Sequence, residues 1–245
     1  MKIVFPRFLG WRIPRTDDMH AWAKKHLIPI EDQYVSLIKK GDTQKLMDFA
    51  SLCHDLVSDR DFTFTLDRRI KLYMRWLSTG QPCLQAINNT EGYIIGASIV
   101  LPLTQVAYDE YCFGDLDALD IETYHIESRV KSSRQHLLID MLAVDEKMAH
   151  ELPAIGYSSV IRHIARFYNP NKQKIGPVVF CSTVSGPLSR RLRQMELQLI
   201  ERHKSPTYTL PVYFYRADFN NTDLYSPQAR EYYSSITELI RLYNK

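Results

Sequence analysis

Apolar residues along this chain follow two rhythms, and the change between them near residue 80 divides the sequence. Before it the spacing is helical. Residues 1–14, with Pro6 and Pro14, read as a strand or extended arm. A first helix is expected over residues 16–27. Thr16 caps it, Asp17 and Asp18 suit its first turn, and Met19, Trp22, Ala23 and Leu27 form its stripe. Pro29 interrupts, and a second helix is expected to about Lys40, with Tyr34, Leu37 and Ile38 on one side, stopped by Gly41-Asp42. A third runs from Thr43 to Val57 and a fourth from Leu66 to Leu77, ended by Ser78-Thr-Gly80.

After residue 80 the pattern becomes that of strands. Pro82–Ile87 and Tyr93–Leu101 flank Asn88-Asn-Thr-Glu-Gly92, whose Asn and Gly suit the positive φ of a hairpin turn, so an antiparallel pair is expected. Residues 104–132 are acidic and aromatic and read as a long excursion with one short helix, more simply a solvated acidic loop than an amine-binding surface. His136–Val144 and Pro177–Thr183 are continuous apolar runs, as expected of strands buried on both faces. A loop with Pro153 and Gly156 and a helix from Tyr157 to Tyr168 join them into a right-handed β-α-β crossover. Pro187 opens another helix through Leu188, Leu192, Met195 and Leu199. Thr207–Tyr215 alternates and reads as a strand, which Pro211 favours at an edge or a bulge. Ser226-Pro227 starts a C-terminal helix whose stripe is Tyr232, Ile236, Leu239, Ile240 and Tyr243.

Composition narrows the function classes. A chain of 245 residues, 45% hydrophobic, buries a sizeable core. No apolar run approaches the ~18–20 residues of a membrane span, and the apolar start Met1–Pro6 is too short for a signal-peptide core, so a cytoplasmic location is expected. Cys53, Cys83, Cys112 and Cys181 are far apart, which fits buried thiols better than a zinc site or disulfides. The net charge of +3 does not point to nucleic acid. The basic groups Arg190, Arg191, Arg193 and Arg68, Arg69, Lys71, Arg75 read as solvated faces, as His150 and His163 read as surface or helix-face residues.

Asp140 stands out because it lies inside an apolar strand. An unpaired carboxylate there costs several kcal/mol, so the residue is hydrogen-bonded to backbone or to a buried Arg or Tyr, or turned outward by a bulge, or working as a base with a raised pKa. His136 and Glu127 are weaker candidates. Ser182, Ser185 and Ser189 surround a helix start and read first as capping residues.

Helices, a hairpin, then strand–helix–strand–helix–strand over roughly residues 80–217 resembles the GNAT superfamily of acyl-CoA-dependent N-acyltransferases. The resemblance implies an α+β or α/β fold: a mixed central sheet with flanking helices (80–217), a mainly helical N-terminal segment (1–79) and a C-terminal loop and amphipathic helix (218–245). It implies an acetyl-CoA or other acyl-CoA co-substrate lying between strands that splay apart. Met141, Leu142, Ala143, Val144, Ala154, Ile155, Gly156, Tyr157, Ser185 and Leu188 would then meet it, and Asp140 and Ser182 would be the catalytic candidates. The acceptor would be an amine on a small molecule or a protein, and the terminal helices would offer a homodimer surface. No metal, membrane or nucleic acid is implied.

This sequence departs from the family pattern at three residues. Glu151 and Ala154 stand in the phosphate loop where the family carries a basic residue and a glycine, and Leu192 stands where many members carry a proton-donating Tyr. Two other readings follow. One is a GNAT-like module that has lost catalysis and serves interaction or regulation. The other is an enzyme similar to acyl-homoserine-lactone synthases, resembled by Gly96–Pro102 and Ser182–Leu192, although their Glu-x-x-Arg before the end of the strand is absent.

Overall fold

The structure, a computed structural model, describes residues 29–55, 65–128, 135–145, 155–183, 192–193, 196–204 and 211–245. Its frame is a mixed seven-stranded sheet in the order β1-β2-β3-β4-β5-β7-β6. The strands are β1 Val35–Leu37, β2 Leu84–Asn88, β3 Ile94–Leu103, β4 His136–Val144, β5 Val178–Thr183, β6 Gln198–Lys204 and β7 Pro211–Asp218. The helices among the described residues are α1 Thr43–Asp55, α2 Leu66–Ser78, α3 Gln105–Phe113, α4 Ile155–Ala165 and α5 Pro227–Tyr243.

Local chemistry sets most of these boundaries. Thr65 starts α2 by accepting from the Arg68 amide at 3.4 Å, and Thr104 starts α3 by accepting from the Ala107 amide at 3.3 Å. Ser226 accepts from the Ala229 amide at 3.2 Å and Pro227 follows it, as expected for the start of α5. In the β2–β3 hairpin the Asn89 side chain accepts from the amides of Glu91 (3.0 Å) and Tyr93 (2.9 Å), and Gly92 takes φ 87°.

The sheet separates two apolar cores. On one face Phe49 and Cys53 of α1, Leu72, Tyr73 and Trp76 of α2, and Tyr108 and Tyr111 of α3 meet Leu138, Met141 and Ala143 of β4. On the other, Ile161 and Ile164 of α4 and Tyr232, Ile236 and Ile240 of α5 meet Leu137, Leu142 and Val144. The stripe of α5 is thus covered by the body of the protein rather than left for a second copy.

Several elements differ from the sequence expectation. The helix expected over 16–27 lies outside the described residues. The one expected up to Lys40 is instead a short 3₁₀ turn, Asp32–Tyr34, followed by β1, which pairs antiparallel with β2 through Val35↔Ile87. Between Pro29 and Gly41 the segment is too short for periodicity to choose, and the free edge of β2 decides. The excursion is not a solvated loop. It carries α3, Ile121 and Ile126 are buried, Ile121 takes the Trp76 indole N–H at 3.0 Å, and Ile126 bridges back to Leu103.

At the other end, the helix expected to reach Leu199 gives way to β6, whose polar run Glu201-Arg-His-Lys204 carries no strand signal of its own. Because β6 covers β7, Pro211 is not on an edge strand. It is the first residue of an internal one, opposite Lys204.

Candidate functional site

The centre of the sheet opens between β4 and β5. They are parallel but paired only through His136↔Val178, Leu137↔Val179 and Leu138↔Phe180. Beyond Leu138, β4 stays on β3 as far as Gly96↔Val144, while β5 stays on β7 as far as Thr183↔Tyr213. Among the described residues, the groups of 139–144 that face β5 therefore have no strand partner. A backbone edge of this kind binds an extended ligand by adding it to the ladder. Gly96 keeps the far end of β4 close to β3: a Cβ there would stand 2.5 Å from the Ala143 carbonyl oxygen.

The first turn of α4 follows β4. Ile155 and Gly156 are buried, and so is Ser158, whose hydroxyl has no hydrogen-bond partner among the described residues. Free amides at a helix start, with the dipole behind them, favour an anion. The Ser159 hydroxyl turns inward to the Gly156 carbonyl at 2.8 Å. The Gln85 amide donates to the Ser159 carbonyl at 2.9 Å, which ties this turn to β2.

Asp140 sits on a β-bulge. Ile99 faces Met141 and Val100 faces Ile139, so Asp140 is the extra residue of β4. A bulge re-aims side chains, and here it takes Asp140 out of the regular alternation of β4. Asp140 is half-buried, and no hydrogen bond to its carboxylate forms among the described residues. Burial pushes its pKa up to about 6, with the Arg69 charge pulling down and Asp117 pushing further up.

This strand order, with a central pair that parts beyond its first residues and a helix start after the longer strand, is the arrangement the sequence resemblance implies. The fold is a mixed α+β sheet covered by helices on both faces. No family model matches the sequence, and no curated protein matches it. Solved structures with a similar chain path include a Corynebacterium glutamicum protein described as histone acetyltransferase HPA2 and related acetyltransferase, 12% identical over 75% of this chain and 94% of that one, TM-score 0.46. They also include an agmatine N-acetyltransferase, 15% identical over 75% and 98%, TM-score 0.43. A third is a GNAT-family acetyltransferase from Listeria monocytogenes, 13% identical over 75% and 93%, TM-score 0.37. At such identities neither activity nor substrate passes to this chain.

The remaining expected residues divide into those this frame gathers and those it does not. The side chains of Met141 and Ala143 are buried on the α1–α2 face, and those of Leu142 and Val144 on the α4 face. They are core residues, and what β4 presents to the opening is backbone. Ser182 lies on β5 beyond the parting, opposite Phe214, and Tyr157 lies in the first turn of α4, with neither side chain described. Ala154, Glu151, Ser185 and Leu188 lie outside the described residues, as do His150, Ser189, Arg190 and Arg191. Leu192 is buried. Cys181 stands where the strands part, its thiol pushed up to about 12 by burial, which leaves it un-ionised. His136 stacks on Tyr108 at 4.1 Å as part of the core.

Two residues read as surface groups are buried. His163 is fully enclosed. Its Nε2 donates to the Pro82 carbonyl at 2.6 Å, so its Nδ1 accepts from the Ser98 hydroxyl at 2.9 Å. Burial pulls its pKa down to about 3. Its place among Val160, Ile161 and Ile164 on one helix face was the available signal. Arg69 is only 8% exposed and donates to the Tyr73 hydroxyl at 3.1 Å. Arg75 pairs with Glu122, so the basic face of α2 is not simply solvated.

Proposed function

We propose that the protein is an acyl-CoA-dependent N-acyltransferase, in its simplest form an acetyltransferase, moving an acyl group from a CoA thioester to an amine. The observation that carries this reading is the juxtaposition at the middle of β4: an unpaired backbone edge beside a bulged carboxyl whose pKa lies near neutrality. Residues 139–144 would hold the pantetheine arm as a strand substitute. The first turn of α4, with Ile155, Gly156, Tyr157 and the unpartnered Ser158 hydroxyl, would hold the pyrophosphate.

In this reading the acceptor arrives as an ammonium ion, attracted by Asp140 and Asp117. Asp140 removes one proton, and the freed lone pair attacks the thioester carbonyl carbon. The C–N bond forms and the carbonyl oxygen becomes an oxyanion, which accepts hydrogen bonds from unpaired β4 amides. Collapse breaks the C–S bond, and the departing thiolate takes the second proton of the amine. A thiol is acidic enough, with a pKa of about 8.5, to leave without a dedicated acid such as the Tyr that Leu192 replaces.

Thermal denaturation with acetyl-CoA and longer acyl-CoAs tests the reading. Ligand at 100 times its dissociation constant stabilises by about 2.7 kcal/mol, which for a chain of this size raises Tm by about 5–11 °C. Gly156→Glu is expected to abolish the rise by placing a carboxylate at the pyrophosphate. No rise with any acyl-CoA would sink the proposal.

A further inference from the structure

Among the described residues, three residue pairs join β4 to β5, so the parting of these strands needs a stop. On one face Tyr108 of α3 supplies it. Its ring stacks on His136 of β4 at 4.1 Å and meets Phe180 of β5 edge-on at 4.9 Å. On the other face α5 reaches both sides of the parting. Its Ile236 and Ile240 share a core with Ile161 and Ile164 of α4. Its far end is tied down on that side. The Tyr243 hydroxyl accepts from the Ile30 amide at 2.8 Å, and the Asn244 side-chain amide donates to the Tyr168 carbonyl at 3.1 Å. The Arg162 guanidinium carbon lies 5.2 Å from the Tyr243 ring centre.

The start of α5 is tied to the opposite side. Tyr225, just before it, accepts from the Asp218 amide of β7 at 2.8 Å. The Tyr233 ring lies 4.8 Å from that of Tyr225 and 5.6 Å from that of Phe219. Ser226 adds a charged contact. Its amide donates to one carboxylate oxygen of Glu196 at 2.8 Å, and its hydroxyl donates to the other. The same hydroxyl accepts from the Ala229 amide at 3.2 Å, so the contact continues into the helix cap. A carboxylate at a helix start is also favoured by the dipole.

Glu196 makes this contact from a strained backbone. Its φ is 58°, in the left-handed region. Its amide donates to the Arg193 carbonyl at 2.8 Å, and the Leu197 amide donates to the Leu192 carbonyl at 3.0 Å. These are the two bonds of a helix end that usually carries Gly at this position. A residue with a Cβ kept there points to a use for its side chain. β6 begins at Gln198 and pairs with β7, so Glu196 belongs to the β5–β7–β6 side of the sheet.

We propose that α5 is a strap across the parted sheet: it joins α4 on the β4 side to the β5–β7–β6 side, with Glu196 on Ser226 as its fastening, and so fixes where β4 and β5 part. Cys181 reports on this strap. It is the first residue of β5 beyond the last pair, Leu138↔Phe180. Alternation puts it on the α5 face, because Val178 and Phe180 belong to the opposite core and Val179 to this one. Cys53 and Cys83 are fully buried in the opposite core and serve as controls.

The test is the rate at which iodoacetamide alkylates each cysteine of the full-length protein, read by mass spectrometry at fixed pH. Ser226→Ala and Glu196→Gln are each expected to raise the Cys181 rate by about tenfold, the effect of weakening a hydrogen bond to a charged group on a local opening. Cys53 and Cys83 should not change. The double variant should be little faster than either single one, because both remove the same fastening. Glu196→Gly relieves the strained backbone and still lacks the carboxylate, so it keeps the fold and should match Glu196→Gln. Tyr243→Phe, which frees the far end from Ile30, should give a smaller selective rise. An unchanged Cys181 rate in either Ser226→Ala or Glu196→Gly overturns the proposal. So does a parallel rise at Cys53 and Cys83, which would make the contact a support of the whole fold instead of a strap. The measurement uses no ligand, so its outcome is separate from that of the acyltransfer reading.

Discussion

Asp140, half-buried on β4, and His163, enclosed on α4, are titratable groups of the same core, and burial drives both toward neutrality: the aspartate up to about 6, the histidine down to about 3. What differs is how their polar atoms are used. Both ring nitrogens of His163 are bonded, to Ser98 and to Pro82, and α4 is bound further to the strands by Gln85 on Ser159 and by Arg166 on Gln85 at 3.2 Å. The imidazole is consumed by the structure. Asp140 has no hydrogen bond to its carboxylate among the described residues, and it stands on a bulge beside backbone that has no strand partner there. A satisfied buried polar group rigidifies a core, whereas one left available is free for chemistry.

The largest effect expected from this contrast is on the rate. Asp140→Asn should lower acyl-CoA turnover by about 10²–10⁴-fold, and the wild-type rate should fall as pH drops below about 6, where the base becomes protonated. Stability should move oppositely. A carboxyl whose folded pKa is raised above its unfolded value costs stability as pH rises through about 4 to 6. Asp140→Asn should therefore unfold later than wild type at pH 8, with the gap closing below pH 4. A variant equally active and no more stable would make Asp140 as structural as His163.

His163 should show the reverse. Its folded pKa lies below its unfolded value, so the folded state resists protonation and loses stability as pH falls from about 6.5 toward 3. At ~1.4 kcal/mol per pH unit, the loss approaches about 4 kcal/mol. Urea unfolding between pH 4 and 8 reads it as a steep acid limb. His163→Met should be less stable at pH 7, because Ser98 and the Pro82 carbonyl lose their partner, yet show a flatter limb. An unchanged limb would show that another group governs acid unfolding.

Gly96 sharpens the contrast from the backbone side. An alanine there puts Cβ 2.5 Å from the Ala143 carbonyl and 3.3 Å from the Ile87 Cβ, so β3 and β4 must move apart next to the opening. Gly96→Ala should cost about 1–3 kcal/mol, as overpacking usually does. It should also shrink the thermal shift with acetyl-CoA, whereas a change that touches only the His163 seam should leave that shift intact.

How much of this was legible beforehand follows from the range of the forces involved. The apolar runs of β4 and β5, the hairpin, and the cap of α5 are local, and each shows in a few adjacent residues. A carboxylate inside an apolar strand is also local, so Asp140 could be singled out. Its bulge could be named only as one alternative, because register exists only between β3 and β4. The same holds for β1, formed by the edge of β2, and for β6, whose polar residues become a strand by pairing with β7. Arg69 and His163 were read as surface groups because a lone charge on a helix is solvated by default. Burial became visible only when the fold supplied the Tyr73 hydroxyl to one and Ser98 with Pro82 to the other.

The smallest effect falls on Ser158, the buried group most like Asp140 on His163's own helix. Its hydroxyl is 1% exposed and has no partner among the described residues, a state that costs about 1–3 kcal/mol. Removing it with Ser158→Ala relieves the cost and leaves only a small void, so the ligand-free protein should gain up to about 1 kcal/mol in denaturant. If the hydroxyl meets the pyrophosphate, the same variant should show a smaller thermal shift with acetyl-CoA, so that one substitution stabilises the free protein and weakens the complex. A structural hydroxyl cannot give that opposition of signs: Ser158→Ala would then lose stability and leave the acetyl-CoA shift unchanged, and the first turn of α4 would belong with the His163 seam instead of the opening at Asp140.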